Sequence, residues 1–268
     1  MGVFRFCRCP LPWTGMFVLV MYGFMYAPIL MLGVYSFNAS RYGAVWEGFS
    51  LIWYQRLLQD ERLFGALLDS LTIALWAVSI SAVLGTLMAI GLAKYSFRGK
   101  SLYQGVAYLP LIVPDIAIAV ATLVFLASLA IRLDIHTVIA AHTVFCLAYI
   151  AIVVSSRLRS LDPNLEEAAL DLGASPIQAL IKVLIPQLMP AILAGCLLAF
   201  VLSLDDLLIS SFTSGSGVNP LPVEIYSRLN RRIQPDLNAL SVVLILASGL
   251  MAALAEYLRY KTEKQKMR

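Results

Sequence analysis

Six stretches of this chain, approximately 14–36, 66–93, 105–131, 135–156, 187–208 and 238–258, are long, nearly uncharged and predominantly apolar. A helix needs roughly 20 apolar residues to cross a hydrocarbon core of about 30 Å. Each stretch carries few charges, so the expected fold is an all-α integral membrane protein with six transmembrane helices. Composition agrees: 60% of residues are hydrophobic and 13% are charged, against about 25% charged in soluble domains.

The first stretch exceeds the apolar core of a signal peptide, and no small-residue cleavage site follows it. It reads as a retained span. Basic residues set the orientation. With both termini inside, segments 1–13, 94–104, 157–186 and 259–268 hold thirteen of the twenty Lys and Arg, including all six lysines. The positive-inside rule then predicts a multi-pass chain, N-in and C-in, with lipid around the spans. Trp46, Trp53 and Tyr54, after the first span, suit an interfacial aromatic belt on the outer side.

The net charge of +4 fits inner loops, and no basic cluster interleaved with aromatics marks a nucleic-acid groove. Cys7 and Cys9 lack the C-x₂-C ligand spacing, and Cys146 and Cys196 lie in apolar runs as small hydrophobes. No metal site is expected. His136 falls in a short charged loop and His142 on an apolar helix; both read as packed or hydrogen-bonded histidines.

The segment 157–190 departs from the span pattern: RLRSLDPNLEEAALDLGASPIQALIKVLIPQLMP. Asp162 and Pro163 read as a helix start with proline at the first position. Glu166 and Glu167 follow near the positive end of the helix dipole. Leu165, Ala168, Ala169 and Leu172 recur at helical spacing and form one small apolar face. Gly173 suits a left-handed helix end, and Ser175 with Pro176 restarts a helix as cap and first residue. Pro186 and Pro190 are expected to punctuate the entry to span five. The object predicted is a pair of short helices joined at a glycine corner and presented outside the membrane.

Glu167, Ala168 and Ala169, then Gly173 three residues on, then Val183 to Pro186 after nine more, resemble the EAA signature of binding-protein-dependent ABC importers of type I. Val183 and Ile185 stand where that signature has Ile and Leu. The resemblance implies that 157–190 is the coupling loop, with Glu167, Ala168, Ala169, Gly173 and Pro186 engaging an ATPase dimer. It also implies a second permease subunit and an external solute-binding protein, with ATP and Mg on the partner ATPase and no cofactor on this chain. The same resemblance implies a bacterial cytoplasmic (inner) membrane. Beyond the common core, VPDIAIAVATLVFL (113–126), AFVLSLDDLLISSFTSG (199–215) and LPVEIYS (221–227) are similar to polyamine importers of the putrescine or spermidine kind, second-subunit type. The domains expected are 1–64 (first span and outer loop), 65–258 (transmembrane domain) and 259–268 (basic inner tail).

This chain carries no phosphate loop of its own. Gly99, Lys100 and Ser101 end like one, but Lys94 stands where G-x-x-x-x-G-K-[ST] needs glycine. The chain is therefore not expected to be an enzyme.

Solute specificity is sought in intramembrane polar groups, because a carboxylate at the bilayer centre costs about 2.5–3.5 kcal/mol and marks a cavity or partner. Asp205 lies fifteen residues beyond Pro190, about 22 Å along a helix. If the helix continues, Ser203, Asp206, Ser210 and Thr213 form a polar stripe and Asp206 is the pathway residue. Asp205 then faces Leu198, Val201 and Leu202 and reads as a structural or inter-subunit group. Asp115, after Pro114, is either a pathway residue or the cap of a half-helix. Asp69 begins a stripe near the outer end of span two and is either a solute contact or a helix-start charge. Carboxylates in this number suit a cationic solute.

Alternatives within the class are an amino-acid derivative, a cationic vitamin or ferric iron as solute. An ATP-independent secondary transporter would need no such loop. An intramembrane protease would need facing catalytic groups, which two adjacent aspartates about 100° apart on one helix do not provide.

Overall fold

The computed structural model describes residues 12–40, 45–231 and 236–250. Its elements are α1 (Pro12–Tyr35), α2 (Ile52–Leu58), α3 (Glu61–Lys94), α4 (Lys100–Ala107) and a 3₁₀ turn (Leu109–Leu111), followed by α5 (Asp115–Ser128) and α6 (Ile135–Ser160). Next come α7 (Leu165–Asp171), α8 (Pro176–Ala179), a π turn (Leu180–Leu184), α9 (Ile185–Asp205), α10 (Leu208–Thr213) and α11 (Leu221–Arg231). A last apolar helix, α12, covers Asp236–Leu250.

Among the described residues, four helical stretches are long and apolar enough to cross a membrane: Gly15–Tyr35, Glu61–Lys94, Ile135–Ser160 and Pro176–Asp205. Asp115–Ser128 and Asp236–Leu250 are shorter apolar helices. All six predicted stretches are thus largely helical where described, the third and the fifth with breaks. The end of the sixth, the basic tail 259–268, Cys7 and Cys9 lie outside the described residues.

The third stretch is not one helix. Residues 105–131 divide into the end of α4, the 3₁₀ turn and α5, with Pro114 extended at φ −57°, ψ 137°. Pro110 and Pro114 supply no N–H and disfavour helical backbone at the residue before them. The helix therefore cannot run through, and Asp115 opens α5 rather than lying ten residues inside a span.

The entry to the fifth stretch runs the other way, more continuous than expected. Helix extends through Pro190, and the entry at Pro186 is eased by the π turn, where Ile185 N–H reaches back to Leu180 C=O. A π turn is a common site of adjustment in a helix under local constraint.

The chain divides into two compact units, Arg62–Ser227 and Met1–Glu61 with Arg228–Arg268. In the first, α6 is the central helix and packs along α9. Val78, Ile90, Phe145, Ile150, Val154, Leu188 and Ile209 are among its buried side chains. Close approach depends on glycine on both sides of Ile150. A methyl on Gly85 would stand 3.0 Å from the Leu147 carbonyl oxygen, and one on Gly195 would stand 3.2 Å from Ile150 Cα. Small residues that let backbones approach are how helices associate in lipid, where the hydrophobic effect gives no drive. Ser81 Oγ adds a hydrogen bond to the Thr143 carbonyl at 3.0 Å.

In the other unit, the segment after α1 is held by side-chain bonds. Trp53 is buried and its Nε1–H donates to the Asn38 carbonyl at 2.7 Å, while Tyr54 Oη meets Ser36 Oγ at 2.8 Å. These two residues are anchors of a folded segment, whereas Trp46 stays half exposed beside Tyr35. The aromatic belt expected of all three therefore misreads the buried Trp53. Arg228 bridges Asp60 at 2.6 Å and Asp236 at 3.4 Å. None of the apolar window of α1 is buried within the chain.

Candidate functional site

The aspartate pair lies at a break, not on a continuous helix. α9 ends at Asp205, and Asp206 is extended at φ −71°, ψ 115°. Its carboxylate accepts from Ser210 N–H at 2.7 Å (Oδ2) and from Ile209 N–H at 3.3 Å (Oδ1). An aspartate that binds the first free N–H groups of the next helix competes with the helical ladder and stops it. α10 then restarts at Leu208.

The predicted stripe nevertheless converges, and its centre is a histidine that was expected to be packed or hydrogen-bonded but was not assigned to the site. His142 of α6 is 1% exposed. Its Nδ1 lies 2.8 Å from Ser203 Oγ, and its Nε2 lies 3.1 Å from Ser210 Oγ and 3.3 Å from Asp206 Oδ2. One imidazole therefore joins the last turn of α9, the break and the first turn of α10. Thr213 closes the same face: it is buried, and its carbonyl accepts from Thr137 Oγ at 2.9 Å. The available signal was a histidine on an otherwise apolar helix together with a polar stripe lacking a partner.

Asp205 is exposed, as are its neighbours Leu198 and Val201. No partner for Asp205 occurs among the described residues. Asp115 is exposed at the first position of α5 and likewise lacks a side-chain partner among them. Asp69 is half-buried, and its Oδ2 accepts from Asn219 N–H at 3.1 Å. The adjacent Ser70 Oγ accepts from Leu221 N–H at 2.8 Å, so this end of α3 anchors the 219–221 turn. Asp206 and Ser203 and Ser210 are thus brought together, whereas Asp205, Asp115 and Asp69 stand apart from them.

Segment 157–190 forms the expected two-helix corner. Gly173 adopts φ +87°, its N–H donates to Leu170 C=O at 2.8 Å, and Ala174 N–H reaches Ala169 C=O at 3.1 Å. This paired closure is the Schellman end of a helix, which favours glycine. Ser175 and Gln178 then cap α8 reciprocally, at 3.3 and 3.0 Å. The start differs from expectation. Pro163 lies in a turn stabilised by Asp162 accepting from Asn164 N–H at 2.9 Å, and α7 begins at Leu165.

The small apolar face of α7 is not packed inside the chain. Leu165 and Ala169 are half-buried, Ala168 is exposed and Leu172 is 90% exposed. Ile177 and Ile181 extend the apolar surface, and Glu167 lies exposed at its edge. Pro186 is further on, in the first turn of α9. Glu166 forms an ion pair with Lys94 at the end of α3, a link between α7 and a long membrane helix that the sequence did not suggest.

Residues 81–264 match the family described as binding-protein-dependent transport system inner membrane component. The chain is similar to the putrescine transport system permease protein PotI of Escherichia coli (strain K12), 42% identical over 96% of this chain and 94% of that protein. It is also similar to the spermidine/putrescine transport system permease protein PotC of Haemophilus influenzae, 39% identical over 91% and 95% of the two chains. Among solved structures, it resembles a bacterial ABC transporter involved in the import of the acidic polysaccharide alginate. There the TM-score is 0.74 at 16% identity, covering 96% of this chain and 98% of that one. A likeness at that identity speaks for the fold alone. The chain belongs to the family of binding-protein-dependent transport system inner membrane components.

Proposed function

We propose that this chain is the non-catalytic permease subunit of an ATP-driven importer for putrescine- and spermidine-type polyamines. The observation that carries the reading is identity of 42% with the putrescine permease over 96% of this chain and 94% of that protein. The carboxylate-rich set supports a cationic solute over a sugar or an anion.

In this reading both termini are cytoplasmic and 65–258 is the transmembrane domain, between an N-terminal segment 1–64 and a basic tail 259–268. The 157–190 segment docks on one subunit of an ATPase dimer. Its exposed apolar residues, Leu172 and Ile177, are the contact surface, and Glu167, Ala168 and Ala169 line it. The Gly173 corner sets the angle between its two helices, and Pro186 with the π turn joins it to α9. A second permease subunit, a different chain, covers the exposed face of α9 and supplies a neighbour for Asp205. A loaded external binding protein delivers the solute.

ATP-driven closure of the ATPase dimer moves the 157–190 segment, and α9 carries that motion toward the break at Asp206. The pathway then opens alternately outward and inward. Asp206 is the main contact for the ammonium groups, with Ser203 and Ser210 beside it. Asp115 and Asp69 are further acidic stations.

The test is solute binding and uptake with the cognate binding protein, ATPase and second permease in proteoliposomes. Putrescine or spermidine uptake that requires ATP is the expected result. Absence of both, with uptake of an amino-acid derivative, a cationic vitamin or ferric iron, would refute the polyamine reading.

A further inference from the structure

The carboxylate of Asp206 is 10% exposed, yet its two oxygens are used unequally. Oδ2 accepts from Ser210 N–H at 2.7 Å and lies 3.3 Å from His142 Nε2. Oδ1 has one long bond, from Ile209 N–H at 3.3 Å. Each carboxylate oxygen can accept about two hydrogen bonds, so Oδ2, with one short bond and the imidazole against it, is the more occupied oxygen and Oδ1 keeps capacity. His142 is itself fixed from both sides of the break, by Ser203 Oγ at 2.8 Å and Ser210 Oγ at 3.1 Å. Being buried, it has no route to a passing solute except through the groups it touches.

We propose that His142 is a positioning residue: it occupies Oδ2 of Asp206 and so turns Oδ1 to the ammonium group of the solute. The inference rests on the reading of Asp206 as a pathway residue. The ring also ties α6 to both α9 and α10, so the carboxylate keeps its direction although the backbone around it is not helical. Without the ring, the carboxylate rotates toward the vacated hydroxyls of Ser203 and Ser210, and both oxygens turn inward.

The experiment is a double-variant cycle on ATP-driven putrescine uptake, using the complete transporter in proteoliposomes at equal amounts of assembled complex. The variants are His142→Ala, His142→Gln, Asp206→Asn and the double His142→Ala/Asp206→Asn. The expected result is a loss of about tenfold or more in each of His142→Ala and Asp206→Asn, with no further loss in the double, as for residues that act as a unit. His142→Gln should recover part of the rate, since an amide can still bridge a hydroxyl and the carboxylate. A merely structural histidine would not give that non-additivity.

Loss in Asp206→Asn with a normal rate in His142→Ala overturns the positioning role and leaves the pathway reading standing. Losses that multiply in the double variant overturn it too. A normal rate in Asp206→Asn overturns the pathway reading itself. Should His142→Ala not assemble, Ser203→Ala frees the ring without removing it and takes its place in the same cycle.

Discussion

Replacing Gly173 by alanine separates a backbone effect from a packing effect. A methyl at this position meets no atom within 4 Å, so no clash contributes. The cost comes from φ +87°, a left-handed conformation that is about 1–2 kcal/mol unfavourable for an ordinary L-residue. Alanine also restricts the unfolded chain, which offsets about 0.4–1 kcal/mol. The net is about 1 kcal/mol against the closed corner, or roughly a fivefold shift toward an open one. Asparagine tolerates the left-handed region better and should fall between glycine and alanine. Hydrogen exchange of the peptide covering 165–180, measured by mass spectrometry on the purified protein, reads the corner directly. Exchange at Gly173 and Ala174, whose N–H groups close the α7 end, should quicken about fivefold in Gly173→Ala and less in Gly173→Asn. Exchange equal to wild type in both, or faster in Asn than in Ala, would refute the conformational argument.

Three further outcomes follow from other contacts. Gly215→Ala should prevent accumulation of folded protein, because its methyl would overlap the Leu133 carbonyl, which is backbone and cannot rotate away; size-exclusion profiles of solubilised protein check this. Lys94→Glu should lower uptake, and Lys94→Glu combined with Glu166→Lys should restore it. The ion pair is partly exposed and so contributes at most about 1 kcal/mol to stability, which leaves melting temperature nearly unchanged in both. Asp134 caps α6, and the His136 side chain, then the Thr137 N–H, hold its carboxyl below the usual carboxylate range. Its stabilising contribution is complete above the ordinary carboxylate value of 3.8 and is lost as pH falls through the lower folded value. The melting difference between wild type and Asp134→Ala should therefore be full at neutral pH and shrink only at the acid end; a constant difference across that range would contradict it.

How much was legible in the sequence depended on whether the cause was local. Lipid demands long apolar runs, so each predicted stretch is largely helical where described. The Gly173 corner and the Ser175 cap were legible because a φ above zero and a free N–H select residue types within a few positions. The breaks were harder. Pro110 and Pro114 were visible, but a largely apolar window of 27 residues hid them, and the third stretch divides there. The break at Asp206 arises because a carboxylate competes for two backbone N–H groups, an outcome that helical spacing does not contain. The polar stripe was found, but its hub was not. His142 is 61 and 68 positions from the serines it binds. Trp53 was misread for the same reason: its partner is the carbonyl of Asn38, fifteen residues back.

The central claim is that this permease moves polyamines by coupling an exposed corner to a partner ATPase. The most direct measurement is ATP-dependent uptake of labelled putrescine and spermidine in proteoliposomes holding the complete transporter, for wild type and for Glu167→Lys with Gly173→Asp. Wild type should accumulate at least one polyamine only when ATP is supplied to the ATPase side. The paired variant should assemble in the membrane yet lose both ATPase binding and uptake. Uptake that persists without ATP, or normal coupling in the paired variant, would contradict the account.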